Sequence, residues 1–127
     1  MKPSILVSRA TFPEAVALLK QHFDVEYNQQ DEVWGPDELQ RRLQGKAGVL
    51  SNPADRFSAD VFAAVPGLKA VCNIAVGYNN IDVPAATAAG VMVTNTPDVL
   101  NETTADFGWA LMMAAARRIT EGERYIR

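Results

Sequence analysis

Short runs of consecutive apolar, mostly β-branched residues alternate along this chain with longer stretches whose apolar positions recur every three or four residues. The runs at residues 4–9 (SILVSR), 24–27 (DVEY), 48–51 (GVLS), 70–75 (AVCNIA) and 91–95 (VMVTN) read as five strands. Several are apolar at successive positions, the pattern of a parallel strand covered on both faces. Residues 13–22, 36–43, 59–65 and 83–89 carry helical spacing. Pro13 and Pro36 open two of these helices, where a missing N–H costs little. Gly45, Gly67 and Gly90 stand where helix C-caps fall. Strand and helix alternating in this way predict βαβ units with right-handed crossovers and an open α/β sheet with helices on both faces.

The C-terminal stretch breaks the rhythm. From about Asp98 a helical pattern runs to Arg127, roughly 30 residues and so about 45 Å. Its middle, 107–116 (FGWALMMAAA), is uncharged all round and predicts a helix buried on several sides. Its end is polar, with Tyr125 and Ile126 interleaved among charges. A helix that reaches its last residue charged and without a cap signal reads as cut rather than finished.

Composition narrows the class. With 127 residues, 48% of them hydrophobic, the chain can bury a core and is too apolar to be disordered. A formal net charge of −3 argues against nucleic-acid binding. The single cysteine cannot close an internal disulfide, and a reducing cytoplasm is the simplest setting. No segment approaches 18 consecutive apolar residues, and MKPSILVSR lacks a signal-peptide core. The expectation is a soluble, cytoplasmic protein with neither membrane nor nucleic acid as partner.

Most candidate chemistry falls away on inspection. Neither G-x-G-x-x-G nor G-x-x-x-x-G-K-[ST] occurs, and Gly45-Lys46-Ala47-Gly48 leads into a strand where a phosphate loop must lead into a helix. One His, one Cys and no carboxylate cluster offer no metal site. His22 closes the first helix, a position that favours a cation. Cys72 lies in an apolar strand as a small hydrophobe. Asp24, Glu26, Asp31, Glu32, Asp37 and Glu38 read as a solvated acidic face, and Met112 and Met113 as core.

One loop stands apart. Ala75-Val76-Gly77-Tyr78-Asn79-Asn80-Ile81-Asp82 follows the fourth strand, where open parallel sheets bind ligands. Gly77 permits a positive φ and close approach of a ligand, and successive N–H groups in such a turn suit a carboxylate or phosphate. The competing reading is an ordinary turn in which Asn79, Asn80 and Asp82 serve as turn and cap residues.

NIAVGYNNID at 73–82, followed by GVMVTNTPDVLNETTADFGWALMMAAARRI at 90–119, resembles the D-isomer-specific 2-hydroxyacid dehydrogenases. Within them it is most similar to the glyoxylate/hydroxypyruvate and 2-ketogluconate reductases. The resemblance implies an incomplete flavodoxin-like substrate domain over residues 1–97, with a five-stranded parallel sheet. It also implies a long linking helix over 98–127 that leads to an NAD- or NADP-binding domain outside these residues. The family's catalytic arginine, glutamate and histidine would lie there too, so no catalytic residue is expected in this chain. The implied substrate contacts are the backbone at Ala75, Val76 and Gly77, with Leu50, Ser51 and Asn52 at the neighbouring edge. Leu100 and Thr104 match positions beside the nicotinamide.

The implied activity is reduction of small 2-oxoacids, with these 127 residues inactive alone. A helix supplied from elsewhere in such enzymes would cover part of the sheet and of 107–116, so self-association into a homo-oligomer is also expected. A stand-alone flavodoxin-like module binding an anion or a partner is the rival, as is a natural split subunit. A receiver domain is disfavoured, because Ser8-Arg9-Ala10 stands where that class needs an acidic pair.

Overall fold

The computed structural model describes residues 1–127. Eleven elements follow in order: β1 (Ser4–Val7), α1 (Pro13–His22), β2 (Asp24–Tyr27), α2 (Pro36–Leu43), β3 (Gly48–Ser51), α3 (Ala59–Ala64), β4 (Ala70–Asn73), α4 (Val83–Ala88), β5 (Met92–Thr94), α5 (Asn101–Ala116) and α6 (Ile119–Ile126). The five strands form one parallel sheet in the order β2-β1-β3-β4-β5, the flavodoxin-like arrangement. The chain separates into two compact units, Met1–Thr96 and Pro97–Arg127.

The connections dictate how the first unit is covered. The chain steps one way from β1 to β2, then reverses and steps the other way through β3, β4 and β5. With right-handed crossovers, α1 falls on one face and α2, α3 and α4 on the other. In register across the sheet, Leu6, Val49, Val71 and Val93 point to the three-helix face. There Leu6, Val49 and Val71 are buried with Leu39 and Leu43 of α2, Val61 and Phe62 of α3 and Ala86 of α4. Phe57 and Phe62 stack at 6.3 Å between ring centres. Each large side chain buried this way contributes about 1.5–3 kcal/mol. The opposite face is thinner. Ile5 and Val7 are buried, but burial fades toward β5, where Met92 is 64% exposed. An apolar groove of about 330 Å³ opens there between α1 and the sheet, with Ile5, Leu19, Phe23, Ala70 and the half-buried Cys72 in its walls.

Local signals account for most boundaries. Pro13 and Pro36 occupy the first turns of α1 and α2. Asp82 caps α4 by accepting from the Ala85 N–H at 3.0 Å. Gly45 and Gly90 take up positive φ of 74° and 69° after α2 and α4, but Gly67 does not. Strands β1, β4 and β5 are shorter than the apolar runs suggest, because each ladder stops where the carboxyl-end loops begin.

The second unit departs from expectation in two respects. The predicted single helix is two, α5 and α6, parted at Arg117 and Arg118. Arg118 adopts the left-handed conformation (φ 52°), which ends the α5 hydrogen-bond ladder, and its guanidinium donates two 2.6 Å bonds to Glu121 across the break. No glycine or proline marks this point, so the sequence carries no local sign of it. The uncharged middle of α5 is also not buried. Phe107, Trp109 and Leu111 are exposed, as are Met112 and Met113, because a 16-residue helix with one short companion in its unit has no second layer to cover it.

Candidate active site at the carboxyl ends of the strands

An open α/β sheet binds ligands beyond the carboxyl ends of its strands, at the point where strand order reverses. Here that point lies between β1 and β3. A cleft of about 480 Å³ opens there, between the β1–α1 loop and the ends of β3 and β4. Leu50, Ser51 and Asn52 form its floor together with Ile74.

A polar row underlies the site. Each central strand ends its apolar run on a small polar residue: Ser8 after β1, Ser51 closing β3, and Asn73 closing β4. All three are buried. The Ser8 hydroxyl donates to Asp55 at 2.5 Å, and Ser51 donates to the Asn73 side-chain oxygen at 3.3 Å. The Asn73 amide in turn donates to the Gly77 carbonyl at 3.0 Å. Asn80 ties the loop after β4 to the loop after β3, donating to the carbonyls of Asn52 and Asp55 at 3.2 and 2.9 Å. The two loops are thus held as one body from below. Sequence reasoning missed Ser8, Asp55 and Asn73, and took Asn80 for a turn residue. The polar residue ending three successive apolar strands was the available signal.

Ala75, Val76 and Gly77 follow Asn73 directly. Their N–H groups donate to no acceptor within the chain, and neither do those of Tyr78, Asn79 and Asn80. The carbonyls point elsewhere: Thr96 N–H donates to Ala75 at 2.8 Å, and the Asn95 amide donates to Val76 at 2.8 Å. Contrary to expectation, Gly77 does not use a positive φ. A Cβ there would meet no atom within 4 Å, so neither backbone conformation nor packing within the chain requires glycine at this point. A hollow of about 200 Å³ lies against Ala75, Gly77 and Asn80. Free N–H groups in succession favour an anion, each charge-assisted bond contributing about 1.5–3 kcal/mol.

The structure therefore brings Leu50, Ser51, Asn52, Ala75, Val76 and Gly77 to adjacent strand ends. Leu100 and Thr104 belong to the other unit. They lie one helical turn apart, the Thr104 N–H donating to the Leu100 carbonyl at 2.9 Å, and both are exposed. His22 is exposed at the end of α1, at the amino edge of the sheet and away from the cleft. No group of three or more His, Cys, Asp or Glu side chains could hold a metal. No helix is long and apolar enough to cross a membrane.

The only strongly perturbed carboxylates lie beside the cleft or on α2. Asp31 is held down to about 2 by the Arg9 guanidinium and by the Ala10 N–H. Glu38 is held down to about 2 by Arg41 and Arg42. Burial pushes Glu26 up, but Lys46 and Arg42 more than offset it and its carboxyl falls below the usual range.

Fold and site together define a flavodoxin-like domain with a cleft at its switch point. The chain belongs to the D-isomer specific 2-hydroxyacid dehydrogenases: the model of that family's catalytic domain matches residues 5–121. It is 39% identical to a glyoxylate reductase of Thermococcus onnurineus over 127 residues, covering 100% of this chain and 38% of that protein. A crystal structure from a Polaromonas species, assigned to the NAD-binding D-isomer specific 2-hydroxyacid dehydrogenases, superposes with a TM-score of 0.88 at 33% identity. That match covers 100% of this chain and 40% of the other. An NADPH-dependent glyoxylate/hydroxypyruvate reductase of Sinorhizobium meliloti, in complex with NADP and malonate, superposes at 0.70 with 29% identity, covering 90% of this chain and 34% of that one. The chain thus spans well under half the length of these relatives.

The turn after β1 is not a pyrophosphate cradle. It reads Ser8-Arg9-Ala10-Thr11, with no glycine to admit a pyrophosphate to the backbone, and it is closed down by contacts to Asp31 and Tyr27.

Proposed function

We propose that this chain supplies the substrate-binding part of an NAD(P)-dependent D-2-hydroxyacid dehydrogenase that reduces small 2-oxoacids such as glyoxylate or hydroxypyruvate. The observation that carries the reading is the run of unpaired N–H groups from Ala75 to Gly77 at the carboxyl end of β4. They receive the 2-oxoacid carboxylate, while Leu50, Ser51 and Asn52 bound the substrate from the β3 side. Family membership supports the assignment, as do the similarities to glyoxylate reductases of Thermococcus and Sinorhizobium. Contact with the nucleotide is restricted in this reading to Leu100 and Thr104.

Positioning alone lowers a barrier only when the reacting partners are present. The sole histidine is at the wrong edge of the sheet, and the Arg9 guanidinium holds the carboxyl of Asp31, beside the cleft, at about 2. The 127-residue chain therefore binds glyoxylate without turning it over. Two measurements test this: titration of the isotope-labelled chain with glyoxylate, read at the amide signals of residues 75–78, and an assay with glyoxylate and either NADH or NADPH. Unmoved amide signals overturn the binding site, and measurable turnover overturns the inactivity. The exposed apolar residues of α5 further suit pairing with a second copy of the chain. Sedimentation at micromolar concentration is expected to show a dimer or larger, and a clean monomer refutes that part.

A further inference from the structure

The N–H groups of Val76 and Gly77 are free, but the peptide planes that carry them are not. Every peptide bond here is trans, so its carbonyl and N–H point opposite ways in one plane, and fixing one end aims the other. The Ala75 carbonyl shares its plane with the Val76 N–H and accepts from the Thr96 N–H at 2.8 Å. The Val76 carbonyl shares its plane with the Gly77 N–H and accepts from the Asn95 side-chain amide at 2.8 Å. Both donors stand on one short segment just past β5. Both carbonyls therefore turn toward that segment, and both N–H groups turn away from it. The next carbonyl, of Gly77, is taken by the Asn73 amide at 3.0 Å.

The donors follow from the local sequence. Thr96 precedes Pro97, which biases it toward extended backbone and leaves its N–H outside any helix. At residue 95 the bond needs a donating amide, since a carboxylate would set acceptor against acceptor. Neither Asn95 nor Thr96 lines the 480 Å³ cleft or the 200 Å³ hollow, so both act through the peptides rather than on a ligand. Hydrogen bonds in series polarise one another, and a donor on the carbonyl makes the N–H of the same peptide a stronger donor to an anion. These two residues are also the last of the first unit, and Pro97 opens the second.

We propose, resting on the placement of the carboxylate given above, that Asn95 and Thr96 are positioning residues that aim the Val76 and Gly77 N–H groups at it. The same two bonds make the segment that enters the second unit sense whether the carboxylate is bound. The coupling is reciprocal: an anion that strengthens the bonds to Asn95 and Thr96 holds the segment in place, and a segment held in place binds the anion more tightly.

The test is an amide-resolved NMR titration of the full 127-residue chain with glyoxylate. The backbone signals of Val76 and Gly77 are expected to move, and the Thr96 backbone amide and the Asn95 side-chain amide to move with them on the same binding curve. Exchange of the Thr96 N–H with solvent is expected to slow at saturation. Asn95→Ala removes the donor without adding a charge and is expected to weaken glyoxylate about tenfold, the equivalent of one misaligned charge-assisted bond. Asn95→Asp keeps the shape but not the donor, and is expected to give no rescue. In both variants the signals of β1 and β3 are expected to stay in place, which separates loss of aim from loss of fold. Asn101→Ala removes the neighbouring amide bond to Asp98 and is expected to leave affinity within about twofold, since it shares no partner with the loop. Movement at Val76 and Gly77 with Asn95 and Thr96 silent, or an Asn95→Ala chain that binds glyoxylate as before, overturns the positioning role and leaves the anion site standing. Silence at Val76 and Gly77 in the unsubstituted chain overturns the anion site and the positioning role together.

Discussion

The two faces of the sheet are built from the same strands, yet they differ in almost every physical respect. On one, Leu6, Val49 and Val71 disappear beneath α2, α3 and α4. On the other, residues one position along each strand have only α1 above them, and Met92 at the far strand is mostly exposed. Residue type alone does not explain the contrast, since this face carries Ile5, Val7, Leu50 and Met92 beside the smaller Gly48, Ala70 and Cys72. Topology does: one crossover steps toward β2 and three step toward β5. The same reversal that starves one face of helices opens the crevice at the carboxyl ends of β1 and β3. The uneven cover and the position of the site have one cause.

The largest effect that would test this contrast is in the covered face. Phe57 is 1% exposed and stacks on Phe62. Phe57→Ala is expected to cost about 3–5 kcal/mol, from lost transfer energy and the cavity left behind. Urea denaturation should show the midpoint falling with an unchanged slope. A loss under 1 kcal/mol would mean that the three-helix face is not the stabilising one.

A smaller loss is expected where the two site loops are joined. Asn80→Ala leaves the carbonyls of Asn52 and Asp55 without their shared donor, at about 1–3 kcal/mol. It should also weaken glyoxylate binding, because the N–H groups from Ala75 to Gly77 lose their anchor to the β3 side. Asn80→Asp keeps the shape but replaces the donating amide with acceptor oxygens, and so should not rescue either property. Full glyoxylate affinity in Asn80→Ala would separate the clamp from the site.

Acid should act on the rim. Asp31 and Glu38 have carboxyls held to about 2, below their ordinary values of 3.8 and 4.5. A depressed folded-state value means that the contribution to stability is present above the unfolded value and lost as pH falls. Stability should therefore decline between about pH 4.5 and about pH 2, and Asp31→Asn and Glu38→Gln should each flatten that decline. Both ion pairs are solvent-facing, so added salt should shrink the effect. A thermal-melt series across this range checks it, and a decline equally steep in both variants would place the acid sensitivity elsewhere.

What the sequence disclosed and what it concealed divide along physical lines. The elements and the open parallel class follow from the βαβ alternation, because apolar runs and helical spacing are local properties of SILV, GVLS, AVCN and the segments between them. The loop at 75–77 was legible because it follows a strand in such a sheet. Its supports were not: the bonds of Ser8 to Asp55, Ser51 to Asn73 and Asn80 to Asn52 and Asp55 act across separations of 22 to 47 residues, and no local pattern reports a partner that distant. The break at Arg118 was hidden for a different reason. A left-handed arginine held by Glu121 has no signature in residue type, since i,i+3 pairs of this kind usually support a continuous helix.

The smallest expected effect lies on the open face. Met92 lies on the edge strand β5, in register with Ala70 of β4. At 64% exposure it is already in contact with water. Met92→Thr removes little buried apolar area and substitutes a β-branched residue suited to a strand, so unfolding free energy should stay within about 0.5 kcal/mol. The mirror substitution, Val71→Thr, enters a site with 0% exposure and adds a hydroxyl that the covered face cannot satisfy. Denaturation of the two variants side by side reads the asymmetry directly. If Met92→Thr proves as costly as Val71→Thr, that face is covered in solution, and self-association of the chain is the first thing to measure.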